Sequence, residues 1–224
     1  MASVLVVGAS RGIGLEFVRQ YVAEGARVIA THRKPEAGAT LRALGAKPIE
    51  LDVRDEGAVV EFGEQMAKET IDVAIINAGV VGPRGNAIQS PGGLDFDAVM
   101  HTNVRAPMQL IPALAPALIA ARGKLALLSS RMGSVSLMSS TSNWLYRASK
   151  AALNAALKAA SLELGAQGVV CIAFHPGWVR TDMGGGSADI DAQTSVAGMR
   201  RVLAAANDSA NGKFINYNGE HIAW

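Results

Sequence analysis

The chain has 224 residues, 50% of them hydrophobic and 18% charged, with a net charge of +2. That balance excludes a disordered chain and supplies the core of one α/β domain, while the lack of a basic stripe argues against nucleic acid or an anionic membrane as partner. A single cysteine, Cys171, excludes an internal disulfide and lies in an apolar run where it is expected to fill the core.

The first predicted element is a strand, Val4–Val7. No basic segment precedes it and Gly8 breaks the apolar run, too early for a signal peptide or membrane span, so a cytoplasmic protein is expected. Next comes Gly8-Ala9-Ser10-Arg11-Gly12-Ile13-Gly14, opening a helix over 13–24. Glycines at a strand-to-helix turn let the backbone approach a pyrophosphate, and the helix points its free N–H groups at the anion. The spacing is GxxxGxG rather than GxGxxG, and alone it equally fits a plain turn. Its place at the first βα junction favours a phosphate cradle with Gly8, Ser10, Gly12, Ile13 and Gly14 as contacts.

A second strand, Arg27–Ala30, runs into Thr31-His32-Arg33-Lys34. An acid here would bond a ribose 2′-hydroxyl and repel a 2′-phosphate, but none is present. Arg33, with Arg11 from the glycine loop, can pair with a 2′-phosphate, so NADP(H) is the expected cofactor; the bland alternative is two solvated arginines.

The alternation continues with a helix near 38–44, strand Pro48–Leu51, helix 55–68, strand Val73–Ile76, helix 94–121, strand Leu125–Leu128, helix 143–163, strand Val169–Phe174, helix 192–206 and a strand near Lys213–Ile215. About seven strands joined by helices predict a doubly wound parallel sheet, a Rossmann fold in three layers, as one domain over 1–224. Arg122, Lys124, Asn154 and Lys158 interrupt the alanine-rich helices, which suits packed or subunit-contact helices rather than membrane spans. The four histidines have no metal-ligand spacing, and no metal site is expected. Gly184-Gly185-Gly186, with Asp182, Asp189 and Asp191 around it, predicts a mobile loop over 184–193, one aspartate capping the next helix.

Tyr146 and Lys150 are four residues apart and share a helix face. An isolated pair of this kind is usually a plain amphipathic pattern. A tyrosine beside a lysine cation can also exchange a proton nearer neutral pH, because the cation favours the phenolate.

In order and spacing, Gly8…Gly12-Ile13-Gly14, Asp52-Val53, Asn77-Ala78-Gly79, Asn103, Ser130, Tyr146-Arg147-Ala148-Ser149-Lys150 and Pro176-Gly177-Trp178-Val179-Arg180-Thr181 resemble the short-chain dehydrogenase/reductase family from Val4 to about Met183. Ser129–Ser134, Tyr146–Lys150 and Asn218-Gly219…Trp224 resemble its carbonyl-reductase subgroup, which includes Sniffer and the C-factor signalling proteins. The resemblance implies that Asp52 bonds the adenine amino group and Val53 touches the ring, with Asn77, Ala78 and Gly79 on the adenosine side. It sets Pro176 and Gly177 beside the nicotinamide end, Val179 against the carboxamide, and Thr181 on the carboxamide or pyrophosphate. It makes Tyr146 the proton donor, Lys150 the group that lowers its pKa and holds the ribose, Ser130 the donor to the substrate oxygen, and Asn103 the holder of a relay water.

Two departures stand out: Ile76 replaces a family asparagine, and the longer segment between serine and tyrosine leaves Ser134 a rival to Ser130. The function implied is an NADP(H)-dependent oxidoreductase acting on a small-molecule carbonyl or alcohol. A nucleotide-binding signalling protein without important turnover is the alternative, and monomer, homodimer and homotetramer all stay open. Trp144, Trp178 and Met183 suggest an apolar pocket wall.

Overall fold

The structure is a computed structural model that describes residues 1–224. Seven strands, β1 (Ser3–Val7), β2 (Arg27–His32), β3 (Lys47–Glu50), β4 (Val73–Ile76), β5 (Lys124–Leu128), β6 (Val170–His175) and β7 (Lys213–Asn216), form one sheet in the order β3-β2-β1-β4-β5-β6-β7. All six pairings are parallel. Parallel strands need crossover helices, which cover both faces and make the central strands apolar on both sides. In β1, Leu5 and Val7 enter one core cluster while Val4 and Val6 enter the other.

Helices α1 (Gly12–Ala23), α2 (Pro35–Ala43) and α7 (Ala192–Ala205) cover one face. Helices α3 (Glu56–Met66), α5 (Ala106–Ala121) and α6 (Trp144–Gly165) cover the other, with α4 (Gly93–Met100) leading into α5. This is the expected doubly wound fold, with every predicted strand present.

Two elements differ from expectation. Helix α2 begins at Pro35, whose fixed φ and missing N–H suit a first helical turn. The predicted helix 94–121 is divided by a π-helical turn, His101–Arg105, just before Pro107, which cannot donate to the helical ladder. The whole run Gly93–Ala121 is long and apolar enough to cross a membrane, yet its Leu110, Leu114, Ala117 and Leu118 are fully buried in the core. Truncating Leu110 to alanine there should cost about 2–5 kcal/mol. In the 184–193 loop, Trp178 Nε1 donates to the Gly184 carbonyl and Arg180 Nη1 to the carbonyls of Ala188 and Asp189. Backbone bonds between Arg180 and Ile190 and between Ile190 and Trp178 close its base. Asp191 caps α7 by accepting from the Thr194 amide at 2.7 Å.

Strand order reverses between β1 and β4. The first connections leave these strands in opposite directions and open a crevice beyond their carboxyl ends, where the chemistry-bearing residues collect.

Candidate active site and cofactor cleft

The crevice starts at the glycine loop. Gly8 has φ +87°, and a Cβ there would stand 2.8 Å from the Ala78 amide nitrogen. A Cβ on Gly14 would collide with the Gly8 carbonyl and stand 2.6 Å from Asn77 Nδ2, which itself donates to that carbonyl. Gly8 and Gly14 therefore keep the turn flat against the end of β4. Thr31 props it from the other side: its Oγ1 accepts from the Gly8 amide at 3.0 Å and its carbonyl from the Ala9 amide at 2.8 Å.

A cavity of about 290 Å³ runs from this loop to Tyr146. Of the predicted cofactor residues, Gly8, Ser10, Arg11, Gly12, Ile13, Arg33, Asp52, Val53, Asn77, Ala78, Gly79, Tyr146, Lys150, Pro176 and Thr181 line it. Gly14 lies behind the loop. Gly177, at φ +86°, packs toward Ile190 and Tyr217, and Val179 is buried in a bridge with Ile190. The open cradle at the switch point, lined by backbone and flanked by arginines, fits an extended anionic dinucleotide.

Two predicted contacts are already engaged. Asp52, expected at an adenine amino group, accepts from Arg54 Nε at 3.2 Å and Nη2 at 2.9 Å, and this arginine holds its carboxyl below the usual range. Arg11, expected at the 2′-phosphate, is paired with Asp182. Arg54, Asp182, Thr31 and His32 also line the cavity and were not among the sequence candidates. Arg54 had a signal, a third arginine next to Asp52-Val53; the others read simply as strand or loop.

At the far end, β5 delivers Ser130 and α6 delivers Tyr146 and Lys150 one turn apart. Lys150 is buried, and its Nζ donates to the Leu128 carbonyl at 2.7 Å and lies 5.7 Å from the centre of the Tyr146 ring. Burial lowers Lys150 to about 8. Tyr146 is pushed up to about 12 by burial, with a hydrogen bond from Ser130 pulling the other way. Burial thus outweighs any cationic pull on the phenol, because the ammonium spends its hydrogen bond on a carbonyl and sits over the ring rather than at the hydroxyl.

Ser130 is buried, and its Oγ accepts from the Met132 amide at 3.2 Å. Ser134, its rival, is fully buried and donates to the Ala223 carbonyl at 2.6 Å. Asn103 is buried on the π-helical turn. Its Oδ1 accepts from the Val80 amide at 2.8 Å, and its Nδ2 donates to the Val80 carbonyl at 2.7 Å and to Ser149 Oγ at 3.0 Å. The side chain thus clamps the end of the β4 segment to α6. Gly79 lies between them: a Cβ there would stand 3.3 Å from Asn103 Oδ1 and 3.5 Å from Lys150 Nζ.

A glycine cradle at the switch point and a Ser–Tyr–Lys group at the other end of one cleft together decide the family, and residues 2–191 match the model of the short chain dehydrogenases. The chain is a short-chain dehydrogenase. It is 36% identical over 167 residues to C-signal of Myxococcus xanthus, a match covering 73% of this chain and 98% of that protein. Among solved structures it resembles the carbonyl reductase Sniffer of D. melanogaster, with 30% identity, full coverage of both chains and a TM-score of 0.92. It likewise resembles the NADPH-bound carbonyl reductase from chicken fatty liver, with 32% identity, coverage of 100% and 99%, and a TM-score of 0.90.

Proposed function

We propose that this short-chain dehydrogenase is an NADP(H)-dependent carbonyl reductase of the cytoplasm, interconverting a small or medium ketone or aldehyde and its alcohol. The observation that carries this reading is the Tyr146 phenol, close to Ser130 and overlain by Lys150, on the wall of the cavity whose other end is the glycine cradle. Likeness to an NADPH-bound carbonyl reductase supports the cofactor. Cys171, buried and unpaired, is in keeping with a reducing compartment.

NADPH, when bound, supplies the hydride for the carbonyl carbon. The protein's own task is to give a proton to the carbonyl oxygen and to stabilise the charge that develops there. Tyr146 Oη donates that proton and takes it back when the alcohol is oxidised. Ser130 donates a hydrogen bond to the same oxygen; Ser134 is spent on Ala223 and does not compete. Lys150 is one turn from the tyrosine and holds the ribose beside it. Asn103 Oδ1 keeps one lone pair to hold a water toward Lys150.

The glycine loop, with Ser10 and Ile13, holds the pyrophosphate. Asp52 and Val53 take the adenine, with Asn77, Ala78 and Gly79 along the adenosine. Pro176, Gly177, Val179 and Thr181 flank the nicotinamide. Arg33 faces the 2′-phosphate, and Arg11 joins it after leaving Asp182. A signalling role, as the name C-signal would suggest, has no observation in the site that favours it over turnover. The test is a panel of aldehydes and ketones followed by NADPH absorbance beside NADH: oxidation of NADPH by at least one class supports the reading, and none with any class opposes it.

A further inference from the structure

We propose that the segment Ile222–Trp224 is a strap that positions the Ser130 turn and the substrate-side loop after it, with Trp224 as its positioning residue. The inference rests on the reductase reading above. Between Ser130 and α6 the chain has one short 3-10 turn, Arg131–Gly133, followed by ten residues without regular structure. Such a loop holds a catalytic serine only if something outside it supplies hydrogen bonds.

From Ser134 to Met138, every hydrogen bond that leaves the loop ends on Ala223 or Trp224. Ser134 Oγ donates to the Ala223 carbonyl at 2.6 Å and accepts from the Leu137 amide at 3.2 Å, folding the loop over itself. The Ser136 amide and hydroxyl both donate to the Trp224 carbonyl, at 3.0 and 2.6 Å. The strap is in turn fixed to the sheet. The Ile222 amide donates to the Phe214 carbonyl at 2.8 Å, Ile222 is buried in the core, and the Trp224 ring stacks on Phe214 at 5.5 Å between centroids. Phe214 is on β7, so the serine turn is registered against the far edge of the sheet through Trp224.

The other end of the same turn abuts the catalytic helix. A Cβ on Gly133 would stand 2.8 Å from the Lys150 Cβ and carbonyl carbon, and Asn154 Nδ2 donates to the Gly133 carbonyl. The Ser130 turn is therefore gripped between Lys150 and the strap. Loosening the strap shifts Ser130 relative to Tyr146 and leaves the glycine cradle, at the other end of the cleft, untouched. Val135, Leu137 and Met138 of the strapped loop expose apolar surface at the carboxyl end of the sheet, so substrate contact is affected with it.

The test compares Trp224→Ala with Trp224→Phe, which retains an aromatic ring for Phe214. Amide exchange over 131–138, NADPH affinity by calorimetry, and kcat and KM for the best carbonyl substrate are measured on each. In Trp224→Ala, exchange over 134–138 should accelerate and kcat/KM for the carbonyl fall about tenfold or more, since small misplacements near a reacting centre are costly. NADPH affinity should stay within about twofold, and Trp224→Phe should restore most of the loss. Unchanged exchange, unchanged kcat/KM despite faster exchange, or NADPH affinity lost in parallel would each overturn the strap. The exchange measurement needs no turnover, so a wild type that reduces no carbonyl is recognised separately: it removes the reading of function, and with it the strap's role in catalysis.

Discussion

The Arg11 guanidinium holds the Asp182 carboxylate across the mouth of the cofactor cleft, joining the glycine loop to the loop after β6. Both side chains are largely exposed, so the pair is weak and opens readily. A 2′-phosphate must compete with Asp182 for Arg11. Asp182→Asn should therefore tighten NADPH binding up to about fivefold and leave NADH binding unchanged, as calorimetry with the two coenzymes would show. Equal gains for both would place the effect elsewhere.

Arg33→Ala should weaken NADPH about tenfold or more, the usual cost of one charge-assisted contact, with little change for NADH. His32→Asp is a different matter. The ring is buried beneath α2, where a Cβ on Gly38 would stand 2.6 Å from its Nε2. An aspartate there can turn preference toward NADH only with some loss of stability, because it places a carboxylate in a closed space. Melting temperature and the NADPH/NADH affinity ratio of this variant should both fall.

Burial lowers Lys150 from 10.5 to about 8, so cofactor affinity carries a pH signature. The free protein loses the ammonium as pH rises through about 8, and NADPH should then bind more weakly because binding must first restore the proton. The dependence should disappear in Lys150→Met, whose binding is weaker at every pH. The stability slope has the opposite sense: between about 8 and 10.5 the unfolded chain carries the extra proton, so Lys150 makes stability rise with pH in that window.

His175 makes a prediction on the acid side. Burial and the Arg131 charge lower it from 6.5 to about 4, and its Nδ1 is buried without a partner. The native state keeps the ring neutral while the unfolded chain protonates, so stability should fall as pH drops from about 6.5 toward 4, by up to about 3 kcal/mol. His175→Gln should flatten that part of the denaturation profile; an unaltered slope would show that another group carries it.

How far the molecule was legible in its sequence follows from the range of the interactions. β1 was plain because both its faces are buried and Val4–Val7 is apolar throughout. Gly8 and Gly14 were plain because the contacts that exclude a Cβ lie in the first βα unit and at the end of β4. The π-helical turn was not, since 94–121 keeps a helical pattern across Pro107 and only the ladder changes. The pairing of Arg11 with Asp182 joins residues 171 positions apart, and that of Ser134 with Ala223 joins residues 89 apart. No local pattern marks either one. For the same reason the sequence left Ser130 and Ser134 as rivals: both follow β5, and only the three-dimensional path of Ala223 shows that the Ser134 hydroxyl is occupied.

The central claim, that Tyr146 supplies the proton for a carbonyl reduced by NADPH, is tested most directly by NADPH oxidation with the best carbonyl substrate in wild type and Tyr146→Phe, each with its NADPH affinity measured by calorimetry. The phenylalanine keeps the ring under Lys150 and removes only the hydroxyl. The expected result is a fall of about 10²–10⁴-fold in kcat with NADPH affinity nearly unchanged. Reductase activity that survives the substitution would contradict the role given to Tyr146.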